Sequence, residues 1–334
     1  MNRLFKSYKI WGFILITFSF TFIFWFLIMI PIIPKDIKFG LFLLGGCGPL
    51  VAGYLMQIIN SNAKLNIGLN RIFLIVATVS TIVIIFRLYL IKFGMPDTGG
   101  FFPTLNEISA VGYFIIILSV LILSINAGNA VNQNIKENYI QSFLFNRRLL
   151  NWYLIAFFVF PIIFIISYFI GKLINAPTTD YIIKSPPSHM LIGVLAVFYF
   201  FGGNEEFGFR GYLQKELQKK ISPLVTALII SILWTFWHLP LYYNGIYSTN
   251  GISLILPRLI FTLPMSVIFV WFYNKSSYSI LTVMILHAMI NSSSGIIGNS
   301  ELIAIILYSI LSVVLIIESK MWKRKSFDFV YNVN

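Results

Sequence analysis

Ten times along the chain, about 20 residues pass with hardly a charge among them. Wound as an α-helix, such a stretch crosses the hydrocarbon core of a bilayer with every backbone N–H and C=O bonded internally. The candidate spans are 11–33, 39–59, 72–91, 108–126, 149–173, 190–209, 223–242, 256–273, 278–296 and 301–318. A chain of 334 residues that is 58% hydrophobic and 10% charged has too few polar side chains to coat a soluble fold of this size. The predicted fold is all-α, a polytopic transmembrane helix bundle of about ten spans. Residues 1–148 are expected to form a four-span accessory region, 149–320 the main membrane bundle, and 321–334 a cytosolic basic tail.

The net charge of +13 does not point to nucleic acid, because the basic residues are scattered at the ends of apolar runs and form no arm or patch. They read as topology signals and contacts to lipid headgroups. With the N-terminus inside, the inner segments hold 16 Lys and Arg residues between Arg3 and Lys325. The outer segments hold six: Lys35, Lys38, Lys92, Lys172, Lys184 and Arg258. That asymmetry predicts both termini inside. The opening "MNRLFKSYKI" has the basic start of a signal peptide, but the apolar run behind it is too long, so a retained first span is expected. The single cysteine, Cys47, excludes an internal disulfide and reads as a packed core residue. The segment "RGYLQKELQKK" alternates Leu with charged residues at helical spacing, which predicts an amphipathic extension at the inner surface.

Against this apolar background the ionisable residues inside spans mark function. They are Glu205, Glu206 and Arg210 in "FFGGNEEFGFRGYLQKEL", His238 in "LWTFWHLP", His287 in "ILHAMIN" beside Asn291, and Arg87. Glu206 and Arg210 are spaced i,i+4 and can neutralise one another, while Glu205 projects about 100° away. His287 with Asn291, and Trp234 with His238, are also i,i+4 pairs. Three helices can thus present polar stripes that converge, with Gly202, Gly203, Gly208 and Gly211 permitting close approach. A carboxylate and an imidazole can take a proton from water, and a second imidazole with an amide can stabilise an oxyanion. The expected chemistry is water-mediated amide hydrolysis in or near the membrane. Each pair also has a bland reading: an ion pair for Glu206 with Arg210, interhelical glue for His287 with Asn291, local snorkelling for Arg87. His189, in a loop, reads as solvated. No H-E-x-x-H, glycine-framed serine or intramembrane aspartate pair is present, although Glu205, His238 and His287 leave a zinc site open.

"EEFGFR", "WTFWH" and "HAMIN", in this order between about 190 and 296, resemble the three motifs of the CAAX protease and bacteriocin-processing family, CPBP or Abi: E-E-x-x-x-R, F-x-x-x-H and H-x-x-x-N. Trp234 stands where the second motif has Phe. The resemblance implies an intramembrane endopeptidase with no cofactor and an active site sunk below the cytosolic face. Glu205 would be the general base, His238 its partner in activating water, and His287 with Asn291 the oxyanion hole. Glu206 and Arg210 would support that geometry. The implied partners are a peptide or membrane-protein substrate and the lipid bilayer. The Ile-, Phe-, Asn- and Lys-rich composition suggests a bacterial plasma membrane. A non-enzymatic bacteriocin-immunity or regulatory protein is the alternative, and a proton-coupled transporter a third reading. Counting residues puts His238 about 24 Å and His287 about 14 Å from the cytosolic ends of their helices. Strong tilt, or a helix that begins outside the bilayer, is needed to bring the two level.

Overall fold

A computed structural model describes residues 8–61, 69–93, 101–129, 142–247, 253 and 255–324. The inner basic residues Arg3, Lys6, Lys64, Lys136 and Lys325, and the tail from 325 onward, lie outside the described residues.

The described residues are almost entirely helical. They form α1 (Lys9–Leu27), α2 (Lys35–Gly46), α3 (Gly48–Ser61), α4 (Arg71–Ile91), α5 (Ala110–Asn129) and α6 (Leu150–Leu173). α7 (Pro187–Tyr199), α8 (Pro223–Trp237), α9 (Ile255–Lys275), α10 (Ile280–Ile296) and α11 (Glu301–Ser319) complete the bundle. Among the described residues, nine helical stretches are long and apolar enough to cross a membrane, and α10 is a shorter tenth. The protein is therefore a multi-pass helix bundle, as the apolar runs require. Its outer faces carry exposed Phe158, Ile162 and Phe169 on α6 and Ile310, Val314 and Ile317 on α11. In water such faces would aggregate; against acyl chains they are at home.

Local signals set the helix starts. Asn70 caps α4 by accepting from the backbone N–H groups of Ile72 and Phe73 at 3.0 and 3.2 Å. Ser222 caps α8 ahead of Pro223, whose missing N–H costs nothing at the first helical position. Ser279 caps α10. α10 explains the depth mismatch between the two histidines: Ser276, Ser279 and Ile280 are all buried, so this helix begins inside the bundle.

Hydrogen bonds between helix ends sort the bundle into two ends. At one, Asn70 Nδ2 donates to the Gly128 carbonyl at 2.6 Å, Asn60 Nδ2 to Tyr212 Oη at 2.5 Å, and Leu224 N to the Met321 carbonyl at 3.0 Å. At the other, Asn244 Nδ2 donates to the Trp25 carbonyl at 3.4 Å, Gly298 N to the Ile182 carbonyl at 2.8 Å, and Ser109 N to Asp36 Oδ2 at 2.9 Å. Of the described Lys and Arg residues outside the spans' interiors, 11 lie at the first end and six at the second. We call the first the basic end.

Two runs differ from straight spans. The second is broken at Cys47 into α2 and α3. The sixth stops at Tyr199 and resumes after a turn. The expected amphipathic surface extension is also absent: Phe209 to Lys215, Leu217 and Gln218 are buried. The reason is packing. This segment is enclosed by neighbouring helices towards the basic end, where Phe13 stacks on Tyr212 with ring centroids 5.5 Å apart. Gln214 Nε2 donates to the carbonyl of Val270 at 3.3 Å and to Asn274 Oδ1 at 3.1 Å.

Candidate active site

The two glutamates owe their places to a break in the helix. After Tyr199 the chain turns at Gly202, where φ is +144°, then makes a 3-10 turn over Gly203–Glu205. Only glycine tolerates this backbone. Space is short as well: a Cβ on Gly202 would sit 2.4 Å from His287 Nε2. Gly202→Ala should therefore lower stability by roughly 2–3 kcal/mol and displace the His287 ring. Unfolding in detergent micelles measures this, and an alanine protein as stable as the wild type would contradict it. Past the turn, Phe209–Gln214 form a π-turn, and Gly208 lies so close to α3 that a Cβ would meet the Pro49 carbonyl oxygen at 2.2 Å.

Glu205 and Glu206, adjacent in sequence, enter different surroundings. Glu206 has 0% exposure and Glu205 7%, so only the second is reachable from a cavity. Arg210 Nη1 lies 3.0 Å from Glu206 Oε2 and 3.1 Å from Oε1. The Arg210 guanidinium lies between the rings of Trp234 and Phe269, 5.0 and 4.7 Å from their centroids. Glu206 Oε1 also stands 2.6 Å from His287 Nδ1. One buried carboxylate thus ties the first motif to the third. Such a carboxylate fixes the ring's orientation and keeps a proton on Nδ1.

Glu205 Oε2 accepts a hydrogen bond from Trp234 Nε1 at 2.7 Å. Trp234 accordingly does more than replace an aromatic ring: its indole N–H orients this glutamate, a role the sequence pattern did not reveal. His238 caps α8, and its Nδ1 lies 2.7 Å from the Trp234 carbonyl. A carbonyl can only accept, so Nδ1 is the donor and Nε2 carries the lone pair. His287 is wedged against Trp234 and Phe269, at centroid distances of 5.3 and 5.5 Å. Asn291, one turn further along α10, is exposed and donates from Nδ2 to the Phe201 carbonyl at 3.2 Å.

Glu205, His238, His287 and Asn291 all line one cavity of about 480 Å³, a volume typical of small-ligand pockets. Glu206 and Arg210 lie behind its wall. The N-terminal spans contribute Trp25, Phe42 and Arg87 to the same lining, and the segment between α4 and α5 contributes Phe102. Trp237 Nε1 donates to Thr21 Oγ1 at 2.8 Å, and Thr21 Oγ1 to the Gly45 carbonyl at 2.8 Å, which staples α8 to α1 and α2. Arg87 rests on the rings of Phe102 and Phe201 at 5.0 and 5.4 Å. His189, expected to be a solvated loop residue, is instead half-buried in the first turn of α7 and lines the cavity. Arg258, counted among the outer basic residues, also faces in, with Nη2 3.4 Å from His238 Nε2.

The cavity reaches the end of the bundle opposite the basic end. Its deeper lining holds Phe42, Val197, Glu205 and His287, and its outer lining comes from the last turns of α1, α8 and α10 and the first turns of α7 and α9. Termini inside and a cytosolic opening, both expected above, therefore exclude one another. As for zinc, among the described residues no three His, Cys, Asp or Glu side chains group as metal ligands. His238 turns its lone pair towards the Arg258 cation, which disfavours a metal ion at that nitrogen.

Comparison with known proteins agrees with the motif order. The family model described as "Type II CAAX prenyl endopeptidase Rce1-like" matches residues 187–293, the stretch that holds all six residues of the cluster. The CAAX prenyl protease 2 of Methanococcus maripaludis is 25% identical over 224 residues, which cover 61% of this chain and 80% of that protein. With its motifs in order, its glutamate and histidine paired in the interior and this alignment running well beyond them, the chain belongs to the CAAX-protease-like (CPBP) family of membrane proteins.

Proposed function

We propose that the protein cleaves peptide bonds with a water molecule held between Glu205 and His238. The chain is a CAAX-protease-like intramembrane endopeptidase. One observation carries the residue roles: Glu206 is committed to Arg210 and His287, while its neighbour Glu205 lines the cavity with His238, His287 and Asn291. Glu205 takes a proton from water as the water oxygen adds to the substrate carbonyl carbon. The resulting oxyanion accepts hydrogen bonds from Asn291 Nδ2 and from His287 when Nε2 is protonated. The C–N bond then breaks, and the proton held by Glu205 passes to the leaving amine. Glu206 and Arg210 hold His287 in place. The spans within 1–148 form an accessory wall to the bundle of 149–320.

The substrate is a membrane-associated peptide or protein segment, and the setting is the plasma membrane of a bacterium, as the composition supports. The reading is tested by comparing membranes from cells that make the wild type or Glu205→Gln. A fragment with a new C-terminus only in wild-type membranes is expected. Identical fragment profiles, with biological activity kept by the variant, would favour a binding role such as immunity.

The bundle lies with both termini inside, because the basic end holds 11 of the 17 described end-layer cations. Its cavity then opens outward. Cys47 is buried and is the sole cysteine, so a Cys47→Ala background is silent to thiol reagents. In intact cells a membrane-impermeant maleimide should label Ser294→Cys at the cavity mouth, and Lys323→Cys at the basic end only after permeabilisation. The reverse pattern would invert the topology.

A further inference from the structure

A second cavity shares no lining residue with the first. It is a groove of about 560 Å³ between α6 and α11, lined by Leu154, Phe158, Ile162 and Ile166 from one helix and by Leu307 and Leu311 from the other. Every lining side chain is Leu, Ile, Val or Phe, with no Gly, Ala or Ser among them. From Leu154 to Ile166 a helix rises about 18 Å, close to the roughly 15 Å hydrocarbon depth of one leaflet. Towards the basic end the groove leads to Trp152 and Trp271, whose ring centroids are 5.5 Å apart, as in an interfacial aromatic belt. Arg147 and Arg148, in the turn before α6, are exposed, and among the described residues no acidic side chain forms a salt bridge with either. Glu318, the acid at this end of α11, is already engaged. Lys275 Nζ lies 3.4 Å from its Oε1, and Trp271 Nε1 donates to its Oε2 at 3.4 Å.

From this pairing of an apolar groove with a cationic mouth we infer that α6 and α11 hold one anionic phospholipid, its acyl chain in the groove and its phosphate on Arg147 and Arg148. A guanidinium takes two phosphate oxygens through parallel N–H···O bonds. An acyl chain suits the groove better than a transmembrane helix does. Helices associate in a membrane through small residues that let their backbones approach, and this lining offers none. The bound lipid bridges α6 to α11, and α6 also packs along α10, the helix that carries His287 and Asn291. Binding of this kind stabilises the folded bundle by mass action. It does not depend on hydrolysis in the first cavity.

Native mass spectrometry of delipidated full-length protein in detergent, titrated with phosphatidylglycerol or with phosphatidylcholine of the same chains, tests this. One phosphatidylglycerol should bind about tenfold to thirtyfold more tightly than phosphatidylcholine, the difference expected of two cations at a membrane surface. Arg147→Gln/Arg148→Gln should reduce that preference to within about threefold. Leu307→Trp, which fills the groove, should weaken both lipids by about tenfold or more. Ile155→Trp fills it from the other wall, so the test stands if one of the two proteins fails to fold. Equal affinity for the two lipids overturns the assignment, as does a preference that survives loss of both arginines. Lipid binding untouched by the tryptophan variants places the acyl chain elsewhere and overturns it too. Glycerol 3-phosphate competing as well as the whole lipid would leave a phosphate site with no use for the groove. A protein dimer that Leu307→Trp dissociates would give the groove to a second copy of the chain instead.

Discussion

Glu205→Gln protein is expected to fold like the wild type and to hydrolyse peptide about a hundred- to ten-thousandfold more slowly. Glutamine keeps the shape of the side chain, and its carbonyl oxygen can still accept the hydrogen bond that Trp234 Nε1 donates at 2.7 Å. What disappears is the ability to take a proton from water. Glu205 is the carboxylate at the cavity, since Glu206 is fully enclosed. Initial rates on an internally quenched peptide in nanodiscs measure the loss, with thermal unfolding of the same samples as the control for folding. A rate within tenfold of the wild type would remove Glu205 from the reaction.

Arg210→Met should destabilise the protein by about 3–5 kcal/mol, because it strands the Glu206 carboxylate in the interior. Glu206 and Arg210 both have 0% exposure, so water cannot replace the lost partner. His287 at 2.6 Å is the other group able to compensate, and it would do so at the expense of its own orientation. Activity should fall together with stability. The double variant Glu206→Gln/Arg210→Met removes both charges and should recover most of the stability, as replacement of a buried pair by neutral groups often does. Unfolding of the wild type, the two single variants Arg210→Met and Glu206→Gln, and the double variant in one detergent gives the cycle. Single and double variants equally stable would show that the pair is not a buried unit.

The bundle was legible because bilayer thickness leaves few solutions for a long apolar run. The ion pair of Glu206 and Arg210 was legible for a similar reason: i,i+4 spacing survives the π-turn that begins at Phe209. Other features depend on tertiary packing that no local pattern encodes. Trp234 became a hydrogen-bond donor to Glu205 because two helices meet there. Arg258 looked like an outer basic residue, since charge counting does not record which way a first-turn side chain turns. "RGYLQKELQKK" has the spacing of a surface helix, yet burial of its Tyr212, Gln214 and Gln218 against neighbouring helices overrides that signal. The positive φ of Gly202 hints at the helix break, but "GG" by itself does not say which glycine turns the chain.

A single turnover in H2(18)O, with protein in excess over peptide and hydroxylamine present, tests the chemistry most directly. Direct attack by water puts one heavy oxygen into the new carboxylate, yields no hydroxamate and leaves the mass of the protein unchanged. A hydroxamate product or an acylated protein would mean that a side chain is the nucleophile, and Glu205 could not then hold the role of base to water.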